Sequence, residues 1–348
     1  MSPGAVNLFS DTQTRPTTAM RRAMVEADVG DEQRFLDPTT LELEARVAEL
    51  LGQEAGLFLP SGTMCNVIAF RLHLRPAGDE AILAAHSHPI DYEAGSPATL
   101  AHAMTRQIET PTGVFGPEAL EAAVRAPGDR YGPRSRLVSV ENTANQGGGR
   151  VWPLHTVRGV LDVARAHGLR THLDGARLMN AVVASGVSAA DYARGFHTAW
   201  IDFSKGLGAP VGAVLAGSRG LIEEAWRHKQ MLGGAMRQSG MLAAACLFAL
   251  DHHVERLAED HEHARLLAES LAKLPGVRID PGEVETNIVI LEVEDAPSVA
   301  GRLFDAGVQV SALGPRRLRA VTHGDVDRRE IYRALAAFRE VLGGPPAR

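Results

Sequence analysis

Thr198-Ala-Trp-Ile-Asp-Phe203, followed by Ser204-Lys205-Gly206-Leu-Gly-Ala-Pro-Val-Gly212, is the stretch that decides how this chain folds. The apolar run has the length and bulk of a buried strand, and the small residues after it form a flexible loop. Lys205 therefore stands at the mouth of a strand. Partial desolvation there makes its free amine available for Schiff-base chemistry. The chain has three lysines against 33 arginines in 348 residues, so a lysine at this point asks for a specific explanation. A solvated strand-end lysine is the plain alternative. Its company decides between the two.

Outward from this stretch, apolar runs alternate with helical spacing. Residues 41–51 read as a helix stopped by Gly52, residues 56–60 as a short strand, and residues 62–74 as a helix ended by Arg75-Pro76. Residues 81–84 and 136–140 read as strands, 154–167 as a helix capped by Gly168, and 169–173 as a strand ending at Asp174. The run 212–217 follows the Lys205 loop so closely that antiparallel pairing is expected. This alternation predicts an α/β fold: a mostly parallel sheet sandwiched by helices, with one antiparallel member. Beyond about residue 242 the pattern changes. One long helical stretch, 243–274, leads to a strand at 287–293, a helix near 299–306, two short strands and a closing helix, 327–342. The expected division is a large domain over 1–250, with an N-terminal arm, and a smaller α+β domain over 251–348.

Composition narrows the function classes. At 45% hydrophobic and 22% charged residues the chain reads as an ordinary soluble globular protein. A net charge of −6 gives no reason to expect nucleic acid or an anionic membrane as partner. No apolar run reaches the roughly 18 residues of a membrane span, and the first residues lack the basic flank and apolar stretch of a signal peptide. Two cysteines, Cys65 and Cys246, are too few for a disulfide framework, so a reducing cytoplasm is the expected setting. His252, His253, His261 and His263 fall on one expected helix and read as a solvated face; no metal-ligand cluster is expected.

In a parallel sheet of this kind, ligands bind beyond the carboxyl ends of the strands. Ser61-Gly62-Thr63 follows a strand and opens a helix, so backbone N–H groups, a hydroxyl and the helix dipole make an anion site suited to phosphate. Asp174 ends its strand with Arg177 three residues on, and Lys205 ends a later strand with Ser204 beside it. A phosphate cup, a strand-end Asp and a strand-end Lys form the set that pyridoxal phosphate requires. The lysine holds the aldehyde, and the carboxylate pairs with the pyridine nitrogen so that the ring can accept electrons.

With these residues assembled, the chain resembles the low-specificity L-threonine aldolases. They are a family of the beta-eliminating lyase group within the aspartate-aminotransferase-like fold of pyridoxal-phosphate enzymes. The resemblance runs from about Asn7 to His323. It is carried by Ser10-Asp-Thr-Gln-Thr-Arg-Pro-Thr, Asp37-Pro-Thr, Phe58-Leu-Pro-Ser-Gly-Thr-Met, His88 with Tyr92-Glu-Ala-Gly, Glu141-Asn-Thr, His172-Leu-Asp-Gly-Ala-Arg-Leu, Phe203-Ser-Lys-Gly-Leu-Gly, Leu232-Gly-Gly-Ala-Met-Arg-Gln and Arg319-Ala-Val-Thr-His.

The resemblance implies that Lys205 carries the cofactor, Asp174 contacts its ring nitrogen and His88 stacks on the ring. Gly62, Thr63, Ser204 and Arg237 would hold the phosphate end, with Arg237 reaching from a neighbouring subunit. Ser10, Arg177 and Arg319 match the positions that hold an amino acid's carboxylate. The implied reaction is retro-aldol cleavage of a threonine-like β-hydroxy-α-amino acid to glycine and an aldehyde, with His88 as a candidate base. The alternatives are β-elimination or another reaction at Cα, and a non-catalytic ligand-binding role. A homo-oligomer, a dimer or a dimer of dimers, is implied as well.

The chain departs from the family pattern at Phe9 (usually Arg), Arg34-Phe35-Leu36 (usually with Tyr-Gly before the Asp), Ala144 (usually His) and Tyr131 (often His). These changes spare the cofactor residues and alter the side-chain pocket, so a β-substituent other than methyl is expected.

Overall fold

Period-two burial builds the central sheet. In β2 (Ala55–Leu59), Phe58 packs into one core while Leu57 and Leu59 pack into another. β7 (Thr198–Asp202) repeats the pattern, with Ala199 and Ile201 on the first face and Trp200 on the second. Every residue of β7 and of β8 (Ala213–Gly217) is buried, as strands covered on both faces must be. The computed structural model describes residues 5–76 and 78–343.

Among the described residues, two-residue β1 (Val6–Asn7) comes first. The other strands of the large sheet are β3 (Asp79–Ala84), β4 (Met104–Ile108), β5 (Arg134–Glu141) and β6 (Arg170–Asp174). The order is β2-β8-β7-β6-β5-β3-β4, with β8 antiparallel to both its neighbours and all other pairs parallel. Since β2 and β7 both oppose β8, six strands run one way and their carboxyl ends share one edge. The antiparallel member expected from the short Lys205 loop is β8.

A second sheet holds β9 (Ile288–Glu292), β11 (Ser311–Ala312) and β12 (Arg317–Val321), while β10 (Val308–Gln309) pairs with β1. Val6 and Leu8 join Leu267, Leu291, Leu303 and Phe338 in a separate core, so the N-terminal arm packs with the C-terminal third of the chain.

Two expectations need correction. The single helix expected over 243–274 is two, Gly240–His252 and Leu257–Leu271. At the break the His253 ring bonds the Leu207 carbonyl at 2.7 Å. The four histidines are also not a solvated face, because His261 and His263 are buried. The second helix packs against Leu178–Ser185 and Arg328–Gly343, and His261 Nε2 meets the Asn180 side-chain amide at 3.1 Å.

Candidate active site

Four strands and one helix start deliver the expected residues to the common edge. β7 ends at Asp202, whose Oδ1 accepts from the Ser204 amide and hydroxyl, each at 2.8 Å. Its Oδ2 holds the Lys205 ammonium at 2.5 Å. β2 leads into the helix Gly62–His73, capped by Ser61 accepting from the Met64 amide. A Cβ on Gly62 would lie 2.3 Å from the Trp200 ring, so only glycine lets the helix start so close to β7. The first-turn amides of Gly62 and Thr63 are free of intrahelical partners, as helix geometry dictates.

β6 ends at Asp174, which is buried. Its Oδ1 accepts from the Ala176 amide at 3.0 Å and its Oδ2 from Asn66 Nδ2 at 2.8 Å. Burial and the nearby Glu141 charge push the Asp174 carboxyl up to about 7, against the opposing pull of His88, Asn66 and Lys205. A carboxylate offers about four lone-pair sites, and these bonds use two. A cationic ring nitrogen fits what remains.

His88 stands beyond β3. Its Nδ1 bonds Glu93 Oε1 at 2.8 Å, and its backbone amide donates to Glu141 Oε2 at 2.6 Å. Burial alone would lower the His88 ring's proton affinity. The Glu93 hydrogen bond, with the Asp174 and Glu93 charges, outweighs this and holds the imidazolium to higher pH than usual.

Asn66 was not singled out from the sequence, yet it ties the site together. Its amide donates to Asp174 and to Glu93 Oε1 (2.7 Å), and its carbonyl accepts from Trp200 Nε1 and His172 Nε2, both at 3.0 Å. An indole can only donate, so this amide has one possible orientation. His172 then carries its hydrogen on Nε2 and accepts from Thr198 at Nδ1 (2.8 Å). Burial pushes its ring down to about 3, keeping it neutral.

Arg177 and Arg319 converge on Asn145 Oδ1, at 3.4 and 3.1 Å. Asp11 grips Arg177 bidentately at 2.6 and 2.7 Å. Burial would raise the Asp11 carboxyl, but the guanidinium holds it well below the carboxylate range. Arg319 is less committed. Its Nε is buried with no partner among the described residues, the kind of donor a substrate carboxylate would satisfy. Ser10 is buried beside them and accepts from the Thr12 amide and hydroxyl.

Arg237 does not join this set. Its guanidinium is exposed and pairs with Asp31 at 3.3 Å. A cleft of about 1190 Å³ opens beside the edge, with Ser87, Glu141 and Ala144 on one wall and Arg278 and Arg317 on the other.

Sheet edge and donor set together fit pyridoxal phosphate, and similarity to known proteins places the chain among the pyridoxal-phosphate lyases. A profile of the beta-eliminating lyase family matches residues 7–296. Low-specificity L-threonine aldolase 1 of Arabidopsis thaliana is 38% identical, over 97% of this chain and 96% of its own. The low specificity L-threonine aldolase of Escherichia coli K12 is 38% identical, over 97% and 99%. A Leishmania major threonine aldolase structure shares the fold, with a TM-score of 0.83 at 20% identity, covering 97% of this chain and 99% of that one. The chain belongs to the beta-eliminating lyase family, in its low-specificity L-threonine aldolase branch.

Proposed function

We propose that the chain cleaves a threonine-like β-hydroxy-α-amino acid to glycine and an aldehyde. What carries this reading is that Lys205, Asp174 and His88 share one sheet edge, and an arginine pair converges on Asn145. Bound pyridoxal phosphate supplies an electron sink for the bond broken at Cα.

The chain's own residues do the rest. Lys205, held by Asp202, carries the cofactor, and Asp174 takes the ring nitrogen. Gly62, Thr63 and Ser204 hold the phosphate end, with Arg237 reaching in from a neighbouring copy. Arg319 offers its free Nε to the substrate carboxylate, and Arg177, aimed by Asp11, offers the edge facing Asn145, with Ser10 alongside. That grip fixes the substrate's orientation and so selects which Cα bond breaks. His88 stacks on the ring, and because its Nδ1 is committed to Glu93, Nε2 of the neutral imidazole is the atom left to take the β-hydroxyl proton.

The shared site calls for a homo-oligomer, a dimer or a dimer of dimers. Phe35, Leu36, Met231 and Met241 are exposed around Arg237's turn, as an unpaired interface would be. We place the protein in the cytoplasm, in keeping with two buried, unpaired thiols. No described helix is long and apolar enough to cross a membrane. The cleft walled by Ala144 suits a β-substituent larger than methyl.

The test is product identity across threonine, allo-threonine, phenylserine and hydroxyaspartate. Aldehyde and glycine are expected in equal amounts, and Lys205→Ala should lower the rate by about 10³-fold or more. His88→Phe, which keeps an aromatic face, should keep the cofactor and lose roughly 10–100-fold in kcat. Ammonia and the substrate's own 2-oxo acid (2-oxobutyrate from threonine), in place of glycine and aldehyde, would make the reaction a β-elimination.

A further inference from the structure

One of the chain's three lysines is fully buried and lies outside the chemistry described above. Lys229, in the last turn of the helix Arg219–Met231, has no exposed surface, and its ammonium is ion-paired with Glu32. It also lies 4.9 Å from the centre of the Trp226 ring. Burial pushes this ammonium down to about 7. A buried cation of this kind is costly unless its counter-charge is fixed, and removing one member strands the other.

The contacts of Glu32 show what the pair holds. Glu32 Oε2 accepts from the Met236 amide at 3.1 Å, and the Glu32 amide donates to the Arg237 carbonyl at 2.9 Å. Neighbouring Gln33 donates to the Met236 carbonyl at 3.1 Å, and Asp31 pairs with the Arg237 guanidinium. From the other side, the Gly234 amide closes on the Lys229 carbonyl at 2.9 Å. A Cβ on Gly234 would meet Met64 Sδ at 2.4 Å, so this turn presses on the first turn of the helix that forms the phosphate cup. Segments 31–33 and 229–237 are thus clasped together, with the ion pair at the centre.

We propose that Lys229 is a positioning residue: its buried pair with Glu32 fixes the turn 232–237 and so sets the direction in which Arg237 leaves the surface. The proposal rests on the reading that Arg237 holds the cofactor phosphate of a neighbouring copy. Lys229 and Glu32 need touch neither substrate nor cofactor for this.

The experiment uses the full-length protein with Lys229→Met, Glu32→Gln, the double variant and Arg237→Ala. It reads hydrogen exchange at the Gly234–Arg237 amides and the dissociation constant for pyridoxal phosphate added to the apoprotein. Lys229→Met should speed exchange at these amides and weaken cofactor binding about tenfold, with kcat at saturating cofactor within about threefold of the parent. Glu32→Gln keeps an acceptor for the Met236 amide and should show a smaller effect. It also serves if Lys229→Met does not fold. The double variant leaves no unpaired charge and should recover most of the loss.

Unchanged exchange in the single variants overturns the proposal. So does faster exchange with unaltered cofactor binding, where Arg237→Ala does weaken binding. If Arg237→Ala itself leaves binding unaltered, the phosphate reading of Arg237 fails, and the purpose assigned to the pair fails with it.

Discussion

Around Asn66, polar side chains from two strands, a helix and a loop are buried and partnered. Around Phe35 and Met231, by contrast, apolar side chains stand in solvent, 59% and 63% exposed. The first region needs no second chain to be complete. The second is firmly built underneath, by the Lys229–Glu32 pair, yet its outer surface has the composition of an interior. The chemistry at the sheet edge depends on fixed positions, which one chain can supply. On the proposed reading of Arg237, the phosphate anchor is the part left to a neighbouring copy.

The contrast breaks most readily at Asn66. Replacing it by leucine removes all four hydrogen bonds and leaves Asp174 Oδ2, Trp200 Nε1 and His172 Nε2 without their partner, while Glu93 Oε1 keeps His88. At about 1–3 kcal/mol for each buried group left unsatisfied, a loss of several kcal/mol is expected, with partial relief as water enters. Chemical denaturation of the apoprotein measures it. A loss below about 1 kcal/mol would falsify the claim that this amide organises the edge.

Met231→Glu puts a charge on the exposed patch instead. It should leave the folded chain nearly as stable as before, within about 0.5 kcal/mol, because the side chain is in solvent within one chain. Light scattering should nonetheless show a shift toward smaller species, with cofactor lost on dilution. An unaltered mass would move the interface elsewhere.

The same contrast explains what could be read from the sequence. Lys205, Asp174 and the Gly62 turn were legible because each sits where an apolar run ends, which is a local signal. Asn66 was not, since it lies within the apolar stretch Cys65-Asn-Val-Ile-Ala-Phe70 and its partners are 27 to 134 residues away. Asp11 lies within a quoted motif, but its grip on Arg177 spans 166 residues. β4 escaped notice because it is an edge strand with Met104 and Gln107 exposed, leaving no apolar run. His261 and His263 misled because Glu259, Glu262 and Arg265 around them suggest a wet face. Helices on either side bury both.

The subtlest expected effect is on pH dependence, and it separates Asp174 from Asp11. The Asp174 carboxyl titrates near 3.8 in an unfolded chain and near 7 when folded, chiefly because it is buried. Between those values the folded apoprotein binds more protons than the unfolded one. Asp174 therefore favours folding below about pH 4, and this contribution is lost as pH rises toward 7. Glu44, buried and pushed up to about 7, acts in the same direction. Asp11 acts the other way: gripped by Arg177, it stabilises above its unfolded value and loses that stabilisation as pH falls. Asp174→Asn should accordingly flatten the decline between pH 4 and 7 by at most about 1.4 kcal/mol per pH unit. Asp11→Asn should remove a stabilisation present at neutral pH. If Asp174→Asn leaves the slope of apoprotein stability unchanged, the carboxyl does not hold its proton at neutral pH, and the environment ascribed to Asn66 and Glu141 is wrong.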